Sequence, residues 1–173
     1  MSTVTNDPFF EVFDEVDSVR HGLPGTAYTS GEFFELEASQ LFAASWSFVG
    51  FAHQLANVGD VQPLTVAGKP VFLVRSEADK IRAFHNVCRH RNLKLIGQAG
   101  HCDALITCPY HRWSYDFGGQ LRLAPYFGGG KSGLPDGFDL ASHGLYEISC
   151  RTFNDWVFIN LDGQAESFDV FVE

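Results

Sequence analysis

Two short motifs in this sequence could do metal chemistry. Within residues 86–116, NVCRHRNLKLIGQAGHCDALITCPYHRWSYD, Cys88 and His90 are separated by one residue and Cys108 and His111 by two, with 17 residues between the pairs. Two sulfur and two nitrogen donors brought together can hold a metal. Tetrahedral zinc accepts two Cys and two His, but structural zinc sites usually have two to four residues between paired ligands, and Cys88-x-His90 is tighter. A one-iron site with four thiolates would need Cys102 and Cys150 to replace both histidines. A cluster of two irons and two sulfides, with cysteines on one iron and histidines on the other, fits the mixed pairing. Zinc stays open as the alternative. A single His or buried Cys is ordinarily a packing residue. On that ground Cys102 reads as loop packing, Cys150 as core and His101 as exposed, while His21, His53, His85 and His143 have no metal-like spacing.

These pairs need a scaffold that brings them to one place. If the intervening chain runs out and back, both pairs sit at loop tips at one end of a β structure. From Trp46 onward apolar residues alternate with period two in short runs rich in Val, Ile and Phe, broken by Gly, Pro and Asp. Candidate strands are 46–51, 61–66, 70–75, 81–86, 104–107, 113–116, 120–124, 145–150 and 157–160. Turn chemistry is strong at Ala67-Gly68-Lys69 and at Phe117-Gly118-Gly119. Many short strands joined this way predict a mostly β fold, an antiparallel sandwich or small barrel.

Helical signals precede the strands. Asp7-Pro8 can start a helix whose Phe9, Val12, Phe13, Val16 and Val19 form one apolar stripe. Such a stripe should pack on the domain body, a second domain or another subunit. Residues 20–30 read as a linker. Thr29 and Glu32 suggest a capping box opening a second helix, with Phe33, Leu36, Leu41 and Phe42 packing into the core and an end near Ala44. The organisation is therefore 1–45 as N-terminal arm and helices, 46–165 as the β domain, and 166–173 as a tail or start of a linker. The stretch 126–140 reads as a loop. Its Gly130-Lys131-Ser132 fails as a phosphate loop because Pro125 stands where glycine is needed.

Composition limits the functions available. The chain has 173 residues, 45% of them hydrophobic, with 12 Lys and Arg against 21 Asp and Glu, a formal charge of −9. That argues against a nucleic-acid partner, which needs clustered positive charge. No apolar run reaches the roughly 18 residues of a membrane span. The opening MSTVTNDPFF shows no secretory signal, so a cytoplasmic setting with reduced thiols is expected. Seventeen phenylalanines are many for this length, and Phe9, Phe10 and Phe13 are candidates for an interface.

The paired motifs resemble those of the Rieske-type [2Fe-2S] proteins, whose signature is Cys-x-His, a loop, then Cys-x-x-His. The flanking NVC-x-HR and CPYH-x-W segments are similar to those of the large (alpha) subunits of ring-hydroxylating Rieske non-haem iron oxygenases. The similarity extends from TSGEFFELEASQLFAASWSFVG through 156–162. It implies a Rieske-type antiparallel β sandwich with a small cluster-binding subdomain and N-terminal helices. It also implies that Cys88 and Cys108 ligate one iron and His90 and His111 the outer one, with Arg91, Trp113 and Tyr115 beside the cluster. The implied function is electron transfer, from a reductase or ferredoxin to the mononuclear non-haem iron of a mono- or dioxygenase, possessed in relatives by a neighbouring subunit of a trimer. A free-standing Rieske ferredoxin is the alternative. The oxygen-activating iron takes two histidines and a carboxylate in a catalytic domain, whereas after His111 this sequence has only His143. No catalytic residue is assigned, and the chain by itself should oxidise no substrate.

The resemblance also orders the redox expectations. Leu93 and Tyr110 stand where respiratory Rieske proteins carry a disulfide between the cluster loops, and Trp113 stands where they place a serine near a sulfide. Tyr115 matches their hydrogen-bonding tyrosine. Fewer hydrogen bonds to sulfur place the potential in the low part of a range of about −150 to +300 mV. Arg89, Arg91, Lys94 and Arg112 form a basic rim suited to an acidic docking partner. Asn92 and Arg112 occupy positions where the family usually has glycine, so the second loop is either relaxed or strained at Arg112.

Overall fold

The computed structural model describes residues 22–129 and 133–173. The expected helix at residues 7–19 and the Gly130–Ser132 segment lie outside them. Among the described residues ten strands form two antiparallel sheets: β1 (Ser47–Phe51), β2 (Asp60–Val66), β3 (Lys69–Glu77), β4 (Lys80–His85), β5 (Gly100–His101), β6 (Ile106–Thr107), β7 (Ser114–Tyr115), β8 (Leu121–Leu123), β9 (Glu147–Phe153) and β10 (Trp156–Asn160). The large sheet has the order β1-β10-β9-β4-β3-β2-β5, and the small one the order β6-β7-β8. This is the mostly β, antiparallel architecture that the alternating pattern predicts.

The central strand explains how a sheet can serve two cores. Successive side chains point to opposite faces of a strand. Phe72 and Val74 of β3, with Phe84 of β4, face a core shared with Cys88, Leu95, Ile96, Ile106, Cys108, Trp113 and Tyr115. Val71 and Leu73, with Ile81 and Ala83, face a second core made with Ile148, Val157 and Ile159. Removing a large apolar side chain from water contributes roughly 1.5–3 kcal/mol, so the small sheet is held against the large one mainly by the first core. The β2–β3 turn has positive φ at both central residues, 48° at Ala67 and 72° at Gly68, as a tight twisted hairpin requires. Gly119, at φ 84°, lies under Phe84, and a Cβ there would meet its ring at 2.4 Å.

The helical region departs from expectation. Helix α1 spans Gly31–Glu37 and is capped by Ser30, whose Oγ accepts from the Phe33 N–H at 3.2 Å; the Thr29 capping box does not form. The helix continues as a wider π turn over Ala38–Phe42. Phe33 is buried and Leu36 half-buried, but Leu41 and Phe42 are exposed, so the apolar face expected to fill the core does so only in part. At the other end one helical turn, α2 (Phe168–Phe171), packs Phe168 edge-on to Trp46 at 5.1 Å. Among the described residues no helix is long and apolar enough to cross a membrane.

Candidate metal centre

The four expected ligands sit on two loops of the same build. In each, the cysteine N–H donates to the carbonyl five residues on, Leu93 at 2.8 Å and Trp113 at 2.8 Å. The cysteine carbonyl accepts from the residue four on, Asn92 at 2.9 Å and Arg112 at 3.1 Å. This closure puts the fourth residue in the left-handed region, φ 56° at Asn92 and 59° at Arg112. Asparagine tolerates that region, while a side chain such as arginine bears about 1–2 kcal/mol. The loop after His111 is thus the strained one of the two alternatives.

The Cys88–His90 loop has an anchor that the sequence did not suggest. Asn86, fully buried just after β4, donates from Nδ2 to Ile96 O at 2.8 Å. Its Oδ1 accepts from the N–H groups of Leu95 (3.0 Å) and Ile96 (2.9 Å). One side chain therefore closes the far end of the loop, replacing three backbone bonds that a strand would have supplied. An asparagine at a strand end reads as turn chemistry, and nothing in its sequence position separates the two roles.

The donors are brought together as two pairs. Cys88 and Cys108 are 1% and 2% exposed, and both line the first core. Burial pushes the Cys88 thiol up, while the Tyr115 hydroxyl and the His90 backbone N–H oppose the shift. The Tyr115 hydroxyl lies 3.4 Å from Cys88 Sγ and accepts from the Arg89 N–H at 3.0 Å. Burial, and next the contact with Cys88, raises the Tyr115 phenol, which keeps it a donor. The imidazoles of His90 and His111 stand 4.7 Å apart, centroid to centroid. Burial, then His111 and Arg91, lowers His90, which favours the neutral form a metal needs. His111 Nδ1 is buried without a hydrogen-bond partner, a rare condition for a polar atom and one that a metal bond resolves.

Among the described residues no three Cys, His, Asp or Glu side chains converge on one point. A two-iron cluster takes two protein ligands per iron, and the cysteine pair and the imidazole pair offer two donors each. The residues present therefore fit the group that the mixed pairing suggests.

Other expected features divide. Trp113 is buried and lies parallel to the His90 ring at 4.8 Å. Arg91, Lys94 and Arg112 are exposed. Arg89 is not a free rim charge, because its guanidinium stacks 3.9 Å over the Tyr146 ring. His101 is exposed, as expected, and bonds to Asp60 at 2.8 Å. Cys102 packs against the first core and Cys150 against the second, and burial pushes the Cys150 thiol up to about 12. All four cysteines are unbridged.

Comparison with known proteins agrees with this geometry. A model of the Rieske [2Fe-2S] domain matches residues 45–135, which contain both loops. The chain belongs to the Rieske [2Fe-2S] domain family. This Rieske chain is 34% identical over 152 residues to the glycine betaine monooxygenase oxygenase subunit of Chromohalobacter salexigens, covering 88% of itself and 33% of that protein. It is 33% identical over 165 residues to the carnitine monooxygenase oxygenase subunit of Acinetobacter pittii, covering 95% and 43%. A solved quaternary ammonium Rieske monooxygenase, described in terms of carnitine oxidation and inter-subunit electron transfer, superposes with a TM-score of 0.75 at 32% identity, over 86% of this chain and 40% of that one. The Rieske chain spans about a third to two-fifths of the length of these relatives.

Proposed function

We propose that Cys88 and Cys108 hold one iron of a [2Fe-2S] cluster and His90 and His111 the other, and that the chain passes single electrons from a reductase or ferredoxin to the mononuclear non-haem iron of an oxygenase. The observation that carries this reading is the division of the donors into a buried sulfur pair and an outer imidazole pair, with His111 Nδ1 buried and lacking a protein partner. The cluster supplies one-electron chemistry: two ferric ions, two sulfides and two thiolates sum to about zero charge with neutral histidines, and to about −1 after reduction.

The surrounding side chains set the conditions for that step. The Tyr115 hydroxyl and the His90 N–H stabilise Cys88 as a thiolate, and burial keeps water from both sulfurs. The half-buried histidines provide the shortest path to an acceptor. Arg91, Lys94 and Arg112 offer a local cationic surface on a chain of charge −9, which would steer an acidic donor toward the histidine end. The relatives' description as oxygenase subunits, one of them linked to inter-subunit electron transfer, supports an acceptor on another part of an oxygenase.

The test is iron and acid-labile sulfide analysis of the anaerobically purified chain, with electron paramagnetic resonance after reduction. The expected result is about two irons and two sulfides per chain, with a midpoint in the low part of about −150 to +300 mV. A colourless, sulfide-free protein carrying one zinc refutes the assignment. A midpoint above about +150 mV overturns the low-potential reading.

A further inference from the structure

The Gly-rich stretch after Ala124, which reads in sequence as a connecting loop, delivers two phenylalanines to the histidine end of the site. Phe127 stands edge-on to His90 at 5.6 Å and to Trp113 at 5.2 Å, both at 86°. Phe138 packs on Phe127 at 4.9 Å and on Trp113 at 5.8 Å. Trp113, 1% exposed, in turn lies parallel to His90 within 8°. His90 is therefore walled on one side by the Trp113 face and on another by the Phe127 edge. His111 meets the exposed ring of Tyr110 at 3.6 Å, so the two histidines have different settings.

The phenylalanines are held in place by local backbone structure. Tyr126 takes a left-handed conformation, φ 63°. The Gly128 N–H donates to Gly133 O at 3.0 Å, and a Cβ on Gly128 would meet that oxygen at 2.4 Å. The Phe138 N–H donates to Pro135 O at 3.0 Å. A merely connecting loop would not need a left-handed tyrosine and a glycine with no room for a side chain; together they set Phe127 against His90, with Phe138 behind it on Phe127 and Trp113.

We propose that Phe127 and Phe138, acting through Trp113, are positioning residues that fix the ring plane of His90 and keep its side of the site dry. The inference rests on the cluster assignment above. Edge-to-face and stacked aromatic contacts restrain ring rotation, and a metal ligand's orientation and dielectric surroundings tune its metal. Opening this wall admits water, which stabilises the extra negative charge of the reduced state and raises the potential.

Phe127, 38% exposed, can be truncated without emptying the core. The experiment compares the iron-loaded chain with Phe127→Ala, Phe127→Tyr and Phe138→Leu, reading the midpoint potential and the nitrogen hyperfine couplings of the reduced state by electron–nuclear double resonance. Phe127→Ala is expected to shift the midpoint upward and to change the couplings of one histidine while leaving the other's intact. Phe127→Tyr, which keeps the ring, should retain wild-type values, and Phe138→Leu should shift both readouts in the direction of Phe127→Ala but less. An unchanged midpoint and couplings in Phe127→Ala, with the wild-type cluster present, overturns the positioning role alone. Wild-type protein without iron and sulfide overturns the cluster assignment and this inference with it.

Discussion

Replacing Asn86 by alanine removes three hydrogen bonds at once from a buried place beside the Cys88–His90 loop. The side chain is fully buried, and its partners belong to Leu95 and Ile96, which are 6% and 8% exposed. Asn86→Ala leaves two N–H groups and one carbonyl without partners, each at a cost of about 1–3 kcal/mol. The loop beyond Ile96 is exposed, so partial hydration offsets some of the loss, and a net destabilisation of roughly 3–5 kcal/mol is expected. Against a total of about 5–15 kcal/mol for an ordinary domain, that is a large fraction. Denaturant midpoints, measured with iron retention on the loaded chain, provide the assay. Asn86→Asp keeps the acceptor for both N–H groups and loses the donor to Ile96 O, so it should fall between wild type and alanine. If Asn86→Ala changes stability by less than about 1 kcal/mol and retains full iron, the claim that this side chain closes the Cys88–His90 loop fails.

Other expected outcomes follow from single contacts. Tyr115→Phe removes the hydroxyl 3.4 Å from Cys88 Sγ; losing roughly 1 kcal/mol of preferential stabilisation of the reduced state lowers the midpoint by about 40 mV, at about 59 mV per tenfold for one electron, and an unchanged potential in voltammetry contradicts that role. Arg112→Gly relieves the left-handed strain at φ 59° and should raise stability by about 0.5–1 kcal/mol after the added unfolded-state entropy is deducted, measured as an increase in Tm. Asp155 is held below the usual carboxylate range, first by the His53 side chain. Its stabilising effect is therefore present above the unfolded pKa of about 3.9 and fades as pH falls through the lowered folded value; carbon-13 titration should show the Asp155 carboxyl moving up toward an ordinary value in His53→Ala, which keeps only the backbone N–H donor at position 53.

Much of the scaffold can be read along the chain because burial alternates where one face of a strand meets a core. Strands β3 and β10 fall within two residues of their expected limits, and the two turns expected from glycine, at Gly68 and Gly119, do take positive φ, whereas the left-handed Asn154 between β9 and β10 carries no such mark. The two-residue β5 has too few positions to show a period, and it exists because Asp60 and Val61 pair with His101 and Gly100. The cap at α1 moved from Thr29 to Ser30, neighbours with the same side-chain chemistry whose difference lies in which backbone N–H each can reach. Leu41 and Phe42 belong to the expected buried face, yet the turn widens after Glu37 and leaves them exposed.

Identity at the site was legible because so few side chains can hold a metal and because their spacing is local. Cys88, His90, Cys108 and His111 are therefore candidate ligands by type and spacing, with zinc and a two-iron cluster both open on that ground. Which thiol meets which, the burial of the sulfurs beneath the imidazoles, and the unpartnered Nδ1 of His111 depend on two loops meeting across 17 residues. The supporting side chains are less legible still. Asn86 could equally cap a turn, and Phe127 and Phe138 lie in a stretch whose glycines suggest a plain connection. Their roles arise only when the chain folds back on Trp113, since packing and hydrogen bonding act between neighbours in space and sequence order records only neighbours along the chain.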